Sequence, residues 1–179
     1  VNGFRIPPGL FHPLRVHAGI LLLAGCVWLQ QQHRLDAAFL HAANHHGIDW
    51  RLLRAVAMQE SRMNPLARGK AGEIGMFQVM PITARHWAEV HKRAPPSEEE
   101  LFRPRLNADI AAWYLRRGLD RFAHHKDPLP FALAYYNAGP SRVVAWEQQL
   151  PNDIDFRDFI PFPSTRIYVR NILASLEGG

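Results

Sequence analysis

Over residues 34–46 the apolar positions Leu35, Ala38, Phe39 and Ala42 recur at helical spacing, which predicts a helix there. Gly47 follows as its stop, because glycine tolerates the left-handed backbone that closes a helix. Asp49 is a natural N-cap for a second helix over 50–62, its carboxylate accepting from the first free backbone N–H groups. The same periodicity predicts helices over 82–92, 107–123, 129–138, 140–149 and 164–176. Pro65, Gly69, Gly72, Gly75 and Pro81 interrupt the stretch between, so 63–81 is expected to be mostly loop, with room for a short hairpin inside 68–79. No run alternates apolar and polar residues as a half-buried strand does. The expected fold class is mainly α, in a single domain.

Upstream the pattern changes. Residues 1–17 hold three prolines and no acid, with Arg5 and Arg15 adding positive charge. Ala18 to Leu29 is apolar but runs for only 12 residues, short of the ~20 that span a bilayer. A positive stretch before a short apolar core reads as an export signal. Its end, Leu23-Ala24-Gly25-Cys26, resembles the lipobox of bacterial lipoproteins, where the chain is cut before a cysteine that then carries lipid. The expected organisation is a signal over 1–25, a lead-in over 26–34 and a catalytic-size domain over 35–176. Val27 rather than Asp follows Cys26, which by the general sorting pattern favours the outer membrane.

Composition narrows the chemistry. The chain's one cysteine excludes an internal disulfide and a cysteine-built metal cluster. The net charge of +5 suits a polyanionic partner such as nucleic acid, anionic lipid or an acidic wall polymer. The arginines are dispersed and no recognition motif accompanies them, so nucleic-acid binding is expected only as a weak, salt-sensitive and sequence-blind effect.

One acid stands out. On a helical wheel at ~100° per residue from Leu52, Val56 and Leu53 fall at about 40° and 100°, and Glu60 falls at about 80°, inside the apolar stripe. An ionised carboxylate there loses hydration, so its pKa is expected to rise. A carboxyl still protonated near neutral pH is what a general acid requires, although a glutamate paired with a buried arginine would show the same pattern. Two further clusters fit carbohydrate. Gly72 to Gln78 is glycine-punctuated, and Gln78 offers donors and an acceptor to sugar hydroxyl and acetamido groups. Tyr135-Tyr136-Asn137 before Gly139 supplies a flat face and an amide, or simply a helix C-cap.

Three blocks now coincide in order: Glu60-Ser61-Arg62-Met63-Asn64-Pro65, Gly75-Met76-Phe77-Gln78-Val79-Met80-Pro81, and Ala134 through Pro140. Together they resemble the soluble lytic transglycosylase family, with its ES-x-x-NP, G-L-M-Q-x-M-P and A-x-YNAG motifs. The resemblance continues through Leu101-Phe102, Asn107, Ile160-Pro161-Phe162 and Thr165-Arg166-Ile167-Tyr168-Val169. It implies a lysozyme-like domain that cleaves the β-1,4 bond between N-acetylmuramic acid and N-acetylglucosamine in peptidoglycan and leaves a 1,6-anhydromuramic end. It implies Glu60 as the single catalytic acid/base. Gln78, Tyr136 and Asn137 match residues around the sugar chain, Met76 and Phe77 the wall behind Glu60, and Tyr168 the closing helix. No cofactor is implied, the partner is the glycan strand, and the setting is the periplasm, with membrane attachment through Cys26. Hydrolysis of the same bond, or wall binding without catalysis, are the alternatives; Glu73 is the nearest candidate for a second acid.

The chain departs from the family in places. Met76-Phe77 replaces Leu-Met, Gly69 stands where many members have serine, and Ser164 replaces the first residue of Glu-Thr-Arg. Ser61 has no neighbouring histidine to activate it as a nucleophile. His41 and His45 are spaced i, i+4, but no acid completes a metalloprotease pattern, so exposed histidines and no metal are expected.

Overall fold

A computed structural model describes residue 30 and residues 33–178. The export-signal reading of 1–25 and the lipidation reading of Cys26 lie outside the described residues. The chain divides into two units, Val1–Ala37 and Ala38–Gly179. The described part of the first is helical; the second holds the remaining elements.

Helix α1 covers 33–46, and within the second unit it buries Ala38, Phe39 and Ala42, as the spacing requires. Gly47 closes it at φ +62°. α2 (Trp50–Ser61) begins where Asp49 accepts the Arg51 backbone N–H. Then come α3 (Pro81–Val90), α4 (Glu98–Leu101), α5 (Pro104–Arg121), α6 (Leu129–Ala138), α7 (Pro140–Gln149), α8 (Phe156–Phe159) and α9 (Pro163–Glu177). The fold class is mainly α, as the periodicity predicts.

α3, α5 and α9 start one to three residues before their expected starts, each on a proline. Proline at the first helical position lacks only an N–H that would be unpaired anyway, and its fixed φ suits the helix. α4 and α8 are unexpected. Each is a single turn, too short for periodicity, but α4 carries a capping box. Ser97 Oγ accepts the Glu100 N–H, and the Glu100 carboxylate accepts the Ser97 N–H.

α6 is the central element. Pro130 to Tyr135 and Ala138 are buried, and α5, α7, α8 and α9 all pack against it. A helix apolar all round must be covered on every side. α9 also packs on α2, which brings the end of the sequence to the helix that carries Glu60. The room for a hairpin inside 68–79 is not used by any strand among the described residues. Ile74 instead makes two isolated antiparallel bridges, to Arg68 and to Val79, which fold 68–79 into a compact double-back loop.

Candidate active site

Glu60 lies in the last turn of α2 and is half-buried. The chain leaves the helix through two consecutive non-glycine residues in the left-handed region, Arg62 at φ 55° and Met63 at φ 61°. That costly backbone persists because the neighbours fix it. Ser61 Oγ donates to Met76 O at 2.7 Å and accepts the Asn64 N–H at 3.0 Å. The serine beside the glutamate thus ties the end of α2 to the loop at Met76.

A buried amide holds the same loop from the other side. Asn107, on α5 and fully buried, accepts the Phe77 N–H at 2.8 Å and donates to Ile74 O and Leu101 O, each at 2.9 Å. Gly75 passes directly over this amide at φ +79°, and a Cβ there would come within 2.6 Å of Asn107 Nδ2. Only glycine fits both the backbone angle and the approach. Gln78 is in the left-handed region at φ 48°, its amide donating to Gly75 O at 2.8 Å.

The polar groups of α6 and α9 complete the arrangement. Tyr168 Oη donates to Glu60 Oε1 at 2.8 Å. Tyr136 Oη donates to Phe77 O at 2.7 Å. The buried Thr165 hydroxyl donates to Asn137 Oδ1 at 2.8 Å. Burial is the main cause that pushes the Glu60 carboxyl up to about 7; the like charge of Glu73 adds to the rise, and the Tyr168 hydrogen bond opposes it. Burial and the nearby Glu60 hold both Tyr136 and Tyr168 well above the usual phenol range, so both remain donors at neutral pH. Glu60 Oε2 makes no hydrogen bond among the described residues and is free to carry a proton.

The residues expected at the site divide into three groups. Glu60 and Tyr168 are in direct contact, a closer relation than the spacing on two distant helices suggests. Tyr136, Gln78 and Asn137 retain polar groups at the site loop or its margin, and Gly139 is at once the cap of α6 and the start of α7. Met76 and Phe77, expected as the wall behind Glu60, have fully buried side chains, with Phe77 edge-on to Phe39 at 5.7 Å. Ser61, Asn107 and Thr165 are the tethers that the sequence reading did not assign. Position 69 explains one departure. A Cβ on Gly69 would overlap Glu73 Oε2 and lie 2.7 Å from Gln78 Oε1. Glu73, held there also by the Ala71 N–H at 3.0 Å, occupies the space of a missing side chain.

Comparison with known proteins places the chain in a family. Residues 37–157 match the family model described as the transglycosylase SLT domain. The soluble lytic murein transglycosylase of Salmonella typhimurium is 34% identical over 163 residues, covering 85% of this chain and 24% of that protein. That of Escherichia coli K12 is 33% identical over 160 residues, with the same shares. The crystal structure of the Escherichia coli 70 kDa soluble lytic transglycosylase superposes with a TM-score of 0.71 at 32% identity, over 86% of this chain and 26% of that one. An inactive Glu-to-Gln mutant of the Pseudomonas aeruginosa lytic transglycosylase Slt gives 0.67 at 30%, over 78% and 22%. The chain therefore spans about a quarter of the length of these relatives. By that family model, these relatives and its mainly helical fold, the chain belongs to the transglycosylase SLT-domain family.

Proposed function

We propose that the chain is a peptidoglycan lytic transglycosylase of the cell envelope, with Glu60 as its single acid/base. The observation that carries this reading is a half-buried carboxyl pushed up to about 7, with one oxygen held by Tyr168 and the other free. Protonated on Oε2, Glu60 gives its proton to the glycosidic oxygen as the bond from muramic C1 breaks. The carboxylate then takes a proton from the muramic C6 hydroxyl, whose oxygen bonds to C1. The product is a 1,6-anhydro end, Glu60 is again protonated, and no water is consumed. Two-carboxylate glycosidases instead place a nucleophile or a base opposite the acid. Glu60 feels the charge of Glu73, but Glu73 Oε2 is already bonded to the Ala71 N–H. That acid is the one observation favouring the second reading, hydrolysis of the same bond.

Gln78, Tyr136 and Asn137 are the proposed sugar contacts. The lipobox-like Leu23 to Cys26 supports anchoring at the outer membrane through Cys26, tested by incorporation of labelled fatty acid and its loss in Cys26→Ala. For the activity, the test is digestion of purified wall sacculi by wild type and Glu60→Gln. The expected result is release of soluble muropeptides by wild type only, with sacculus binding retained in both. Equal inactivity with equal binding assigns the chain to wall binding alone.

A further inference from the structure

Away from Glu60, two helices bring together a set of metal-ligating groups whose acid is missing from the local sequence. His41, His45 and His46 come from the end of α1 and Asp109 from α5. His45 Nδ1 and His46 Nε2 lie 2.9 and 2.8 Å from the same oxygen, Asp109 Oδ1. His41 precedes His45 by one turn, the spacing that puts two imidazoles on one helix face, and their rings are stacked with centroids 6.0 Å apart. One ligand atom each from His41, His45 and Asp109 lie within 4.8 Å of one another.

We propose that His41, His45 and Asp109 form a site for a divalent transition-metal ion of the zinc class, with His46 holding the carboxylate in place. Two imidazoles, one carboxylate and a water are a common zinc complement. A tetrahedral ion with bonds of ~2.0–2.1 Å keeps its ligand atoms about 3.3 Å apart. The His45–Asp109 contact therefore opens by roughly half an ångström, a small move for a side chain 55% exposed. His45 shifts its ring proton from Nδ1 to Nε2 as Nδ1 binds the ion, so a neutral histidine releases no proton. His46, whose side chain is only 9% exposed, keeps its bond to Asp109 Oδ1 as an outer-shell partner of the kind that fixes ligating carboxylates. Arg105 is the competitor: its exposed guanidinium is 3.3 Å from His41 Nε2 and must swing away to free that lone pair. The bound ion would staple the end of α1 to α5, two residues from Asn107.

His124, His125 and Glu147 form a second such group, but there Arg121 already faces the other carboxylate oxygen at 3.9 Å. It serves as the control.

The test is calorimetric titration of the metal-free full chain with Zn²⁺, together with the Zn²⁺-dependent shift in Tm. The expected result is one ion per chain at micromolar concentration and a raised Tm. His45→Ala and Asp109→Asn should each weaken binding by about tenfold or more. Arg105→Ala should tighten it, an arm that remains informative if Asp109→Asn folds poorly. His124→Ala should leave it unchanged. Absence of micromolar binding overturns the proposal, as does binding that survives His45→Ala and is lost in His124→Ala.

Discussion

Tyr168 donates its phenolic hydrogen to Glu60 Oε1 across 2.8 Å, although 108 residues separate the two. The contact does two opposing things. It holds Oε1 and leaves Oε2 for the proposed proton transfer, and it lowers a pKa that burial has raised. Tyr168→Phe removes both effects. The expected outcome is a fall in kcat of roughly ten- to hundredfold from lost positioning, with the alkaline limb of the pH profile moved upward. A variant that merely loosened packing would lose activity without moving that limb.

Glu73 acts in the other direction. Its negative charge disfavours ionisation of Glu60. Glu73→Gln keeps the side-chain shape and an oxygen for the Ala71 N–H, and removes the charge. The alkaline limb should therefore move downward, toward the ordinary carboxylate range, and a pH profile of sacculus digestion at constant ionic strength measures it. A profile unchanged in Glu73→Gln contradicts the assignment.

The raised pKa of Glu60 also has a stability consequence. An acid whose folded-state pKa lies above its unfolded value favours the fold fully below the unfolded value, and that contribution is lost as pH rises through the folded one. For Glu60 the window runs from 4.5 to about 7. Glu60→Gln cannot ionise, so it should be more stable than wild type at pH 8, by on the order of 2 kcal/mol once solvent screening of a half-buried group is allowed for. At pH 4 the advantage should vanish. Thermal unfolding at the two pH values reads the difference.

Asn107 is the structural counterpart, a buried amide with three partners on the site loop and α4. Asn107→Ala leaves the Phe77 N–H and the Leu101 carbonyl unpaired in the core, while Ile74 O keeps the Val79 N–H. The expected cost is about 3 kcal/mol or more, a fall in Tm of roughly 10 °C. Activity should fall with it, because the same loop carries Gln78.

The residues explain what could be read from the chain and what could not. Helices α6 and α7 begin and end at the expected positions because Pro140 and Gly139 punctuate them. The starts of α3, α5 and α9 lie before their expected positions because a proline reads as a break in sequence and here is the first helical residue. The one-turn α4 has no periodicity, yet its Ser97 and Glu100 already spell a capping box. At the site, Glu60 was legible because an acid inside an apolar stripe is a local anomaly. No local rule links α2 to α9, so the resemblance placed Tyr168 only in the closing helix, and its contact with Glu60 emerges in the fold. Met76 and Phe77 read as the wall behind Glu60 because both are apolar beside the glutamine of the motif, and both are fully buried. Asp109 beside His45 and His46 was invisible, because the helix that supplies it is 63 residues away.

Glu60 is proposed to break the glycosidic bond without water. The most direct test is mass spectrometry of the muropeptides released from purified sacculi in water enriched in oxygen-18. The expected result is muramic ends lighter by one water than a reducing end, with no heavy oxygen at C1. Reducing ends that carry oxygen-18 would contradict it and assign the chain to hydrolysis.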